Sequence, residues 1–345
     1  MWMVTGAAGF IGSCFTRRQA AQGRKLCLVD KLTYAGNLSS IDQPLRTDGV
    51  SFSQLDIGDQ SAMLDLLQRH ACTTIVNFAA ESHVDRSIDA LGVFAQTNVL
   101  GTVSLLTAAL AYWRELDAVA QRKFRFLHVS TDEVYGSTGA SGAFDESSGY
   151  APNSPYAASK AASDHFVRAF YRTYGLPVLT TCGSNTYGAY QFPEKLIPLM
   201  ILNAIEQRPL PVYGDGLQVR DWLHVDDHCS AIERVLESGT VGEVINIGGG
   251  SELTNLQVVQ AICDYVAEAT GRDSGSMREL ITHVADRPGH DRRYAMDTTK
   301  LRAELDWSPT NQFADGLRST VQWYLDNEAW VAEVRPAAFR RAGLE

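Results

Sequence analysis

Two adjacent acids, Asp132 and Glu133, follow the hydroxyl of Thr131 directly after an apolar segment at 124–129. The segment is typical of a short buried strand, and Gly136 marks the turn after the acids. In a doubly wound parallel sheet the carboxyl ends of the strands face the ligand crevice, so this placement favours an acid–base site. An acid pair after a strand also serves as a helix cap or a turn, so the pair alone leaves both interpretations open.

A second candidate pair is Tyr156 and Lys160, in a segment whose Ser154 and Pro155 predict the start of a helix. Residues four apart lie on one helical face. A nearby ammonium favours the phenolate, and we expect it to lower the pKa of the tyrosine until that side chain can act as a general base. The Tyr-x-x-x-Lys spacing also occurs by chance, so its weight depends on the elements before it.

Those elements begin with a strand at 2–4, the glycine-rich run TGAAGFIG at 5–12 and a helix predicted over 10–21. Such glycines let the backbone turn tightly and approach a pyrophosphate, and the free N–H groups of the helix attract the anion. A second strand at 25–29 ends in Asp30, at the spacing that ribose recognition requires. An acid there accepts a hydrogen bond from a 2′-hydroxyl and repels a 2′-phosphate, so we expect NAD rather than NADP. The alternative is a glycine turn followed by a surface acid.

Further strands at 50–55 and 73–78 alternate with a helix at 60–70, which is the rhythm of a parallel sheet. The fold class we predict is α/β: a Rossmann-type doubly wound sheet with a smaller α/β substrate-binding lobe. Residues 1–185, with 226–249 returning to them, should form the NAD-binding domain. Residues 186–225 and 250–345 should form the lobe. Asp56 and Ile57 should lie near the adenine, and Ala79 and Ala80 are small enough to let the cofactor approach. His83 is better explained as an orienting or structural residue than as a base.

The composition limits the classes of partner. With 45% hydrophobic residues and a net charge of −10, a globular protein is expected, and nucleic acid or an anionic membrane is disfavoured. An anionic small molecule needs local positive charge, which Lys195, Arg220, Arg287, Arg292 and Arg293 could supply. The six scattered cysteines show no metal-ligand spacing, so no metal is expected. We found no run of 18 apolar residues and expect a soluble, cytoplasmic protein.

Several longer motifs extend over most of the chain. They are TGAAGFIG (5–12), VDKLTYAGNL (29–38), AAESHVDRS (79–87), STDEVYG (130–136), Tyr156 with Lys160, YQFPEKLIP (190–198), YGDG (213–216), RDWLHV (220–225) and DRPGHDRRY (286–294). Together they resemble the extended short-chain dehydrogenase/reductase family, and within it the 4,6-dehydratases that act on dTDP-glucose. The resemblance runs from residue 3 to about 325, and the Asp-Glu pair after Thr131 is what separates dehydratases from the related epimerases and decarboxylases.

The resemblance implies a set of roles. The catalytic residues would be Thr131, Asp132, Glu133, Tyr156 and Lys160. Bound NAD would be held by Gly6, Gly9, Phe10, Ile11, Gly12, Asp30, Lys31, Asp56, Ile57, Ala79, Ala80, Tyr156 and Lys160. The nucleotide sugar would contact Ser82, Asn185, Lys195, Leu196, Pro211, Tyr213, Arg220, Asn255, Arg287, His290 and Tyr294. A homodimer is also implied, with 96–113 and 156–174 as candidate contact helices.

The chemistry that this set predicts is an internal oxidation, elimination and reduction. Tyr156, assisted by Lys160, takes the O4 proton of the hexose while NAD⁺ accepts the C4 hydride, and the ketone then acidifies C5–H. Glu133 removes the C5 proton, and protonated Asp132 donates to the departing C6 hydroxyl. Two adjacent carboxylates are not expected to be ionised together, so they can share one proton.

One segment departs from the family pattern, at Cys182, Gly183, Thr186 and Ala189. Asn185 within it is kept. These departures leave the nucleotide base and the hexose open. A 4-epimerase or a decarboxylase on the same scaffold is the main alternative. A catalytically silent NAD-binding module is a third hypothesis, which the intact Tyr, Lys, Asp and Glu set disfavours.

Overall fold

The computed structural model describes residues 1–339 and is built around one large parallel sheet. The strands are β1 (Trp2–Thr5), β2 (Leu26–Asp30), β3 (Val50–Gln54), β4 (Thr74–Asn77), β5 (Arg125–Thr131), β6 (Val178–Gly183), β7 (Asn185–Tyr187), β8 (Leu210–Tyr213), β9 (Val219–His224), β10 (Val244–Ile247), β11 (Glu252–Thr254) and β12 (Ile281–Val284). The large sheet has the order β10-β6-β5-β4-β1-β2-β3, and every pair in it is parallel.

The helices cover both faces of this sheet and build the smaller lobe. They are α1 (Phe10–Ala21), α2 (Asp42–Leu45), α3 (Gln60–Arg69), α4 (Val84–Asp89), α5 (Leu91–Phe94), α6 (Thr102–Glu115), α7 (Ala118–Lys123), α8 (Pro155–Tyr174), α9 (Leu196–Ile205), α10 (Val225–Ser238), α11 (Asn255–Thr270), α12 (Ser274–Arg278), α13 (Thr299–Leu305), α14 (Phe313–Asp326) and α15 (Glu328–Phe339). A π-helix, Ala95–Gly101, joins α5 to α6, and short 3₁₀ turns lie at Leu38–Ile41 and Asp132–Tyr135.

The strand order confirms the predicted Rossmann-type fold. The chain moves outward from β1 to β3 on one side and then crosses back to β4 on the other, so β1 and β4 flank the switch point. Ligands of doubly wound sheets bind outside the carboxyl ends of the strands at such a point. The glycine-rich run, Asp30 and the acid pair all follow strands at this edge.

Local signals determine the start of the two helices that serve the site. Helix α1 begins at Phe10, as predicted, and its N-terminus carries no side-chain cap from the described residues. Helix α8 begins at Pro155, and the Ser154 hydroxyl accepts a hydrogen bond from the N–H of Ala157 at 3.1 Å. The first of these ends therefore keeps free N–H groups for an anion, whereas the second is closed by its own sequence.

The smaller lobe has its own core around the three-stranded sheet β11-β9-β7 and the pair β12–β8. Tyr187, Met200, Ile262 and Leu317 pack in it with Trp330 of α15, a helix that the sequence did not predict. Helix α11 follows Thr254 and is closed at its start by a capping box, in which Thr254 and Gln257 bond each other's backbone N–H groups.

One part of the predicted lobe belongs elsewhere. The sequence placed all of 250–345 in the lobe, but Leu301 and Leu305 of α13 pack in the core beneath the large sheet, with Val235 of α10. The amphipathic pattern of a short helix shows that it has a buried side without showing which core it joins. Residues 340–345 of the predicted lobe lie outside the described residues.

The helical stretch Leu91–Glu115 needs separate comment, because it is long and apolar enough to cross a membrane by length and composition alone. Half of its most apolar window is buried inside the protein. The stretch is not an unbroken apolar run, because Gln96, Thr97 and Asn98 interrupt the apolar residues. The buried half packs against α3 and α8, as the core helix of a layered α/β protein does.

Candidate active site

The first of two cavities lies over the carboxyl ends of β1, β2 and β4 and has a volume of about 230 Å³. All thirteen residues predicted to hold the cofactor line it: Gly6, Gly9, Phe10, Ile11, Gly12, Asp30, Lys31, Asp56, Ile57, Ala79, Ala80, Tyr156 and Lys160. Their roles remain predictions, but the fold brings the whole set together.

The backbone of the glycine loop packs so closely that a side chain would not fit at Gly6 or Gly12. Gly6 has a φ of +66°, and a Cβ there would lie 2.7 Å from the backbone nitrogen of Ala79. A Cβ on Gly12 would lie 2.1 Å from the carbonyl oxygen of Gly6. The loop can therefore bring backbone N–H groups close to a ligand at the free N-terminus of α1, which fits a pyrophosphate.

Asp30 closes the other end of this cavity. Its Oδ2 accepts a hydrogen bond from the N–H of Ala8 at 2.9 Å, and its Oδ1 accepts one from the N–H of Leu32 at 2.8 Å. Burial raises the pKa of Asp30, and the two N–H groups oppose that shift. Beyond it, Lys31 and Asp56 form an ion pair at 2.5 Å. The N–H groups of Ala8 and Leu32 thus hold the carboxylate of Asp30 in the position where it would face a ribose.

The second cavity, of about 530 Å³, lies between the large sheet and the lobe. All eleven residues predicted to contact the substrate line it: Ser82, Asn185, Lys195, Leu196, Pro211, Tyr213, Arg220, Asn255, Arg287, His290 and Tyr294. The two cavities share Ser82, Glu194 and Lys195. A cofactor in the first and a sugar in the second would therefore meet.

Three of the five candidate cations, Lys195, Arg220 and Arg287, line the second cavity, and Arg86 lines it as well. Arg287 pairs with Asp85 at 2.8 Å, and Arg220 is buried with its guanidinium 4.2 Å from the centre of the Tyr294 ring. Arg292 and Arg293 lie outside both cavities as the described residues form them, and pair with Asp215 and Glu252 respectively.

The acid pair divides into a buried acid and an acid that faces the second cavity. Asp132 is 3% exposed; its Oδ1 accepts a hydrogen bond from Thr131 at 3.1 Å, and its Oδ2 is buried without a partner among residues 1–339. Burial, with the charge of Glu133, raises the pKa of Asp132 from 3.8 to about 8. Glu133 lines the second cavity, and burial raises its pKa against the opposing fields of Arg287, Arg220 and Lys195. At neutral pH, Asp132 is therefore the member that holds a proton.

The Tyr156–Lys160 pair differs from the prediction. The ammonium of Lys160 donates to the carbonyl of Val129 at 2.8 Å and lies 3.3 Å from Nε2 of His128. Burial, followed by the charge of Glu133, raises the pKa of Tyr156. The expected lowering is therefore wrong for the protein alone. The reason is that desolvation of the phenolate dominates.

Other side chains of the cavities were missed or only partly interpreted. Asp85 and Glu194 line the second cavity. Both lie in the motifs AAESHVDRS and YQFPEKLIP, but the sequence alone does not predict an acid in a site that binds an anion. Nδ1 of His83 accepts a hydrogen bond from the N–H of Arg86 at the start of α4, and burial with the charge of Lys195 lowers the pKa of His83 to about 3. His83 is therefore neutral at pH 7, and it also lines the second cavity.

The four departures from the family pattern lie behind the second cavity. Among the described lining residues, that segment contributes Asn185 and none of the four. Cys182 packs against Val134 and Tyr135, and the Thr186 hydroxyl lies 2.8 Å from Nδ1 of His228. A Cβ on Gly183 would lie 2.5 Å from the same imidazole. None of the four departures therefore lies in the lining that the described residues form.

Comparisons with known proteins agree with this geometry. A family model described as GDP-mannose 4,6 dehydratase matches residues 3–320. The chain is 55% identical to a dTDP-glucose 4,6-dehydratase of Xanthomonas campestris pv. campestris, over 98% of this chain and 97% of that protein. It is 51% identical to the enzyme of the same name from Neisseria meningitidis serogroup B, over 98% and 97%.

Solved structures show the same likeness. A double mutant of DesIV, a dTDP-glucose 4,6-dehydratase from Streptomyces venezuelae with NAD bound, superposes with a TM-score of 0.88 at 45% identity, covering 97% of this chain and 99% of that one. Because the family model and these relatives extend over nearly the full chain, the protein belongs to the dTDP-glucose 4,6-dehydratase family of extended short-chain dehydrogenases/reductases.

Proposed function

We propose that the protein is an NAD-dependent hydro-lyase that converts dTDP-glucose to dTDP-4-keto-6-deoxyglucose and water. The observation that carries the proposal is the split acid pair beside Tyr156. Asp132 holds a proton at neutral pH, whereas Glu133 faces the sugar cavity among three cations that favour its carboxylate. Elimination of water requires such an acid and base on neighbouring carbons, and a 4-epimerase does not.

The residues of the first cavity fit NAD. The glycine loop leaves room that any Cβ would fill, and Asp30 presents a carboxylate where a ribose would lie. When bound, NAD⁺ supplies the hydride acceptor for C4 and the hydride donor for C6, so no external redox partner is needed. The pKa of Tyr156 is raised in the protein alone, and the positive charge of a bound oxidised ring would favour its phenolate.

The chain's own groups then act in sequence. Tyr156 removes the O4 proton, and Thr131, whose hydroxyl is bonded to Asp132, orients the sugar oxygen. Glu133 takes the C5 proton that the new ketone has acidified. Asp132 donates its proton to the C6 hydroxyl, which leaves as water. As C6 is then reduced, Glu133 returns its proton to C5. Arg220, Arg287 and Lys195 would bind the diphosphate, and the ring of Tyr213 would lie against the base.

The acid pair is tested by the double substitution Asp132→Asn, Glu133→Gln. The variant should still form reduced nicotinamide when mixed with dTDP-glucose, because the first hydride transfer needs only Tyr156 and Lys160. Loss of water should fall by roughly 100- to 10,000-fold, the usual contribution of acid–base groups. Tyr156→Phe is the matched control, and it should suppress the first step as well. Full dehydration by the double variant would contradict the assignment.

Product mass separates the remaining activities on this scaffold. A dehydratase product is lighter by one water, an epimerase product has unchanged mass, and a decarboxylase product has lost carbon dioxide. Testing dTDP-, UDP- and GDP-hexoses side by side also determines the base and the hexose, which the lining residues leave open. Turnover of another nucleotide sugar in preference to dTDP-glucose would replace the substrate and keep the chemistry.

The assembly is also part of the proposal. Leu100, Phe166 and Tyr174 expose 54%, 43% and 45% of their surface on the two helices predicted to form a dimer contact. Leu91 and Val93, just before them, are similarly exposed. Such apolar surface supports a homodimer built on this face, in a cytoplasmic protein. Sedimentation of Leu100→Glu beside the unaltered protein tests it: the variant should become monomeric, and an unchanged mass would contradict this interface.

A further inference from the structure

Lys160, which assists Tyr156 in the proposed first step, belongs to a buried charged cluster whose other members, His128 and Asp164, have no role in the steps above. Lys160 is 3% exposed and donates to the carbonyl of Val129 at 2.8 Å. The ammonium also lies 3.3 Å from Nε2 of His128 on β5. A buried ammonium without an opposite charge readily loses its proton, so something nearby must balance it.

His128 does not carry that charge. The ring is fully buried, and its Nδ1 lies 3.1 Å from the amide nitrogen of Asn77. The Asn77 oxygen accepts a hydrogen bond from Thr5 at 2.6 Å, which turns the amide NH₂ toward the ring and makes Nδ1 the acceptor. The single proton of the neutral ring is therefore on Nε2. Burial and the neighbouring Lys160 lower the pKa of His128 to about 4, so the ring is neutral at pH 7.

The opposite charge comes from Asp164, one turn beyond Lys160 on α8 and 5% exposed. Its Oδ2 accepts hydrogen bonds from Ser130 at 2.7 Å and Tyr150 at 3.1 Å. Its Oδ1 lies 3.3 Å from Nε2 of His128, and this contact opposes the lowering of the histidine pKa by burial. Asp164 and Lys160 thus approach the same ring nitrogen.

We propose that Asp164 is a positioning residue whose carboxylate balances the charge of Lys160, and that neutral His128 keeps the two from forming a direct ion pair. The inference rests on the proposed use of Tyr156 and Lys160 in oxidation. A direct pair would hold the ammonium on the acid, away from the tyrosine. With the ring between them, the ammonium keeps its proton, and Lys160 continues to line the first cavity together with Tyr156.

The other groups around Lys160 do not supply the balance. Burial lowers its pKa, whereas Asp164 and, to a smaller extent, Cys182 on β6 raise it. Burial raises the pKa of the Cys182 thiol itself, so that group is uncharged at pH 7. Tyr150, in the loop before α8, has its pKa raised by burial and is also neutral.

The test is the pH profile of reduced-nicotinamide formation after mixing with dTDP-glucose. Asp164→Asn removes the balancing charge, so Lys160 should lose its proton at lower pH. The alkaline fall in rate should move toward acid by roughly 1–3 pH units, the usual effect of removing an opposite charge. Asp227→Asn is the matched control, because Asp227 is a 3%-exposed carboxylate that bonds Thr310 and Asn311 far from both cavities. An unmoved alkaline fall in Asp164→Asn, or one moved to higher pH, would overturn the proposal.

His128→Gln distinguishes charge from hydrogen bonding. This variant keeps a neutral polar group between the two charges, so its alkaline fall should stay within about half a pH unit of the unaltered protein. A shift as large as that of Asp164→Asn would show that the imidazole, not the acid, controls Lys160, and would reject the proposal.

A stability cycle tests the pair without substrate. Lys160→Met and Asp164→Asn each leave one buried group unbalanced, so the double variant should be more stable in urea than the sum of the single effects predicts. Additive effects would contradict the charge balance. If no nucleotide sugar yields reduced nicotinamide, the proposed function fails, and this cycle still decides the role of Asp164.

Discussion

The two cavities meet at Glu194 and Lys195 but are built in different ways. In the first, glycines and alanines at neighbouring strand ends, such as Gly6, Gly12 and Ala79, bring the backbone to the cavity wall. The second is held by charged side chains from distant parts of the chain; Asp85 and Arg287, which pair across it, are 202 residues apart. The glycine loop at 5–12, called here the backbone cradle, has its shape before a ligand binds. In the second cavity, opposite charges are paired with each other and must exchange partners when a diphosphate binds.

The largest effect should come from filling the backbone cradle. Gly12→Ala would place a Cβ 2.1 Å from the carbonyl oxygen of Gly6. The atoms that it would meet belong to the backbone of Gly6 and Ala7, so they cannot move aside as a flexible side chain could. We expect roughly 3 kcal/mol of lost cofactor affinity, about 100-fold, measured as NAD retained after gel filtration. Gly149→Ala, where a Cβ meets nothing within 4 Å, is the matched control. Full retention by Gly12→Ala would show that the cradle is not rigid.

The charged cavity should respond more moderately and in a different quantity. Arg287→Met removes a cation that pairs with Asp85 and faces Glu133. The KM for the nucleotide sugar should rise by roughly 10- to 100-fold, because charge-assisted hydrogen bonds contribute about 1.5–3 kcal/mol. Cofactor content should not change. Arg292→Met, in the same loop but paired with exposed Asp215, should leave KM unchanged. Equal effects of both substitutions would contradict the assignment of Arg287 to the ligand.

The rate of water loss should depend on pH through the protonation of Asp132 in the acid pair. Burial raises the pKa of Asp132 to about 8, so its proton is present below that pH and is lost above it. With the first step measured separately, water loss should fall about tenfold for each pH unit above 8.

The same group links pH to folding. A carboxyl group whose pKa is raised on folding contributes stability that is complete below its unfolded pKa of 3.8 and is lost as pH rises through about 8. Asp132→Asn should therefore flatten the fall in thermal midpoint between about pH 4 and pH 8, as measured without ligands. An unchanged slope would mean that Asp132 is ionised in the folded protein.

The smallest effect on activity should come from the wall behind the second cavity. Gly183→Ala would place a methyl group 2.5 Å from the imidazole of His228. Overpacking of this kind costs about 1–3 kcal/mol of folding stability. KM and kcat should change less than twofold, because the residue does not line the cavity that the described residues form. Adding His228→Ala should restore part of the lost stability. A large change in KM would show that the departures in this segment reach the substrate.

The first cavity was easier to predict from the sequence than the second, because its residues lie closer together along the chain. The glycine run, the helix that begins at Phe10 and the acid at Asp30 lie within one strand–helix–strand unit, so a local pattern contains nearly all of the cradle. The residues of the second cavity were predicted from the family resemblance, and the structure brings them together in one cavity. The ion pair between Asp85 and Arg287 was not predicted, because the sequence does not show that these two residues lie side by side.

The amino-acid sequence determined the α/β fold, the position of the cofactor cradle and the presence of an acid pair at a strand end. These follow from periodicity and from backbone conformations that few residue types allow. The tertiary structure decided that Asp132 is the protonated acid, that Lys160 is directed toward His128, and that Asp164 lies behind them. It also placed α13 under the large sheet. Proton affinity depends on desolvation and on charges acting through space, and neither exists until distant segments have packed together.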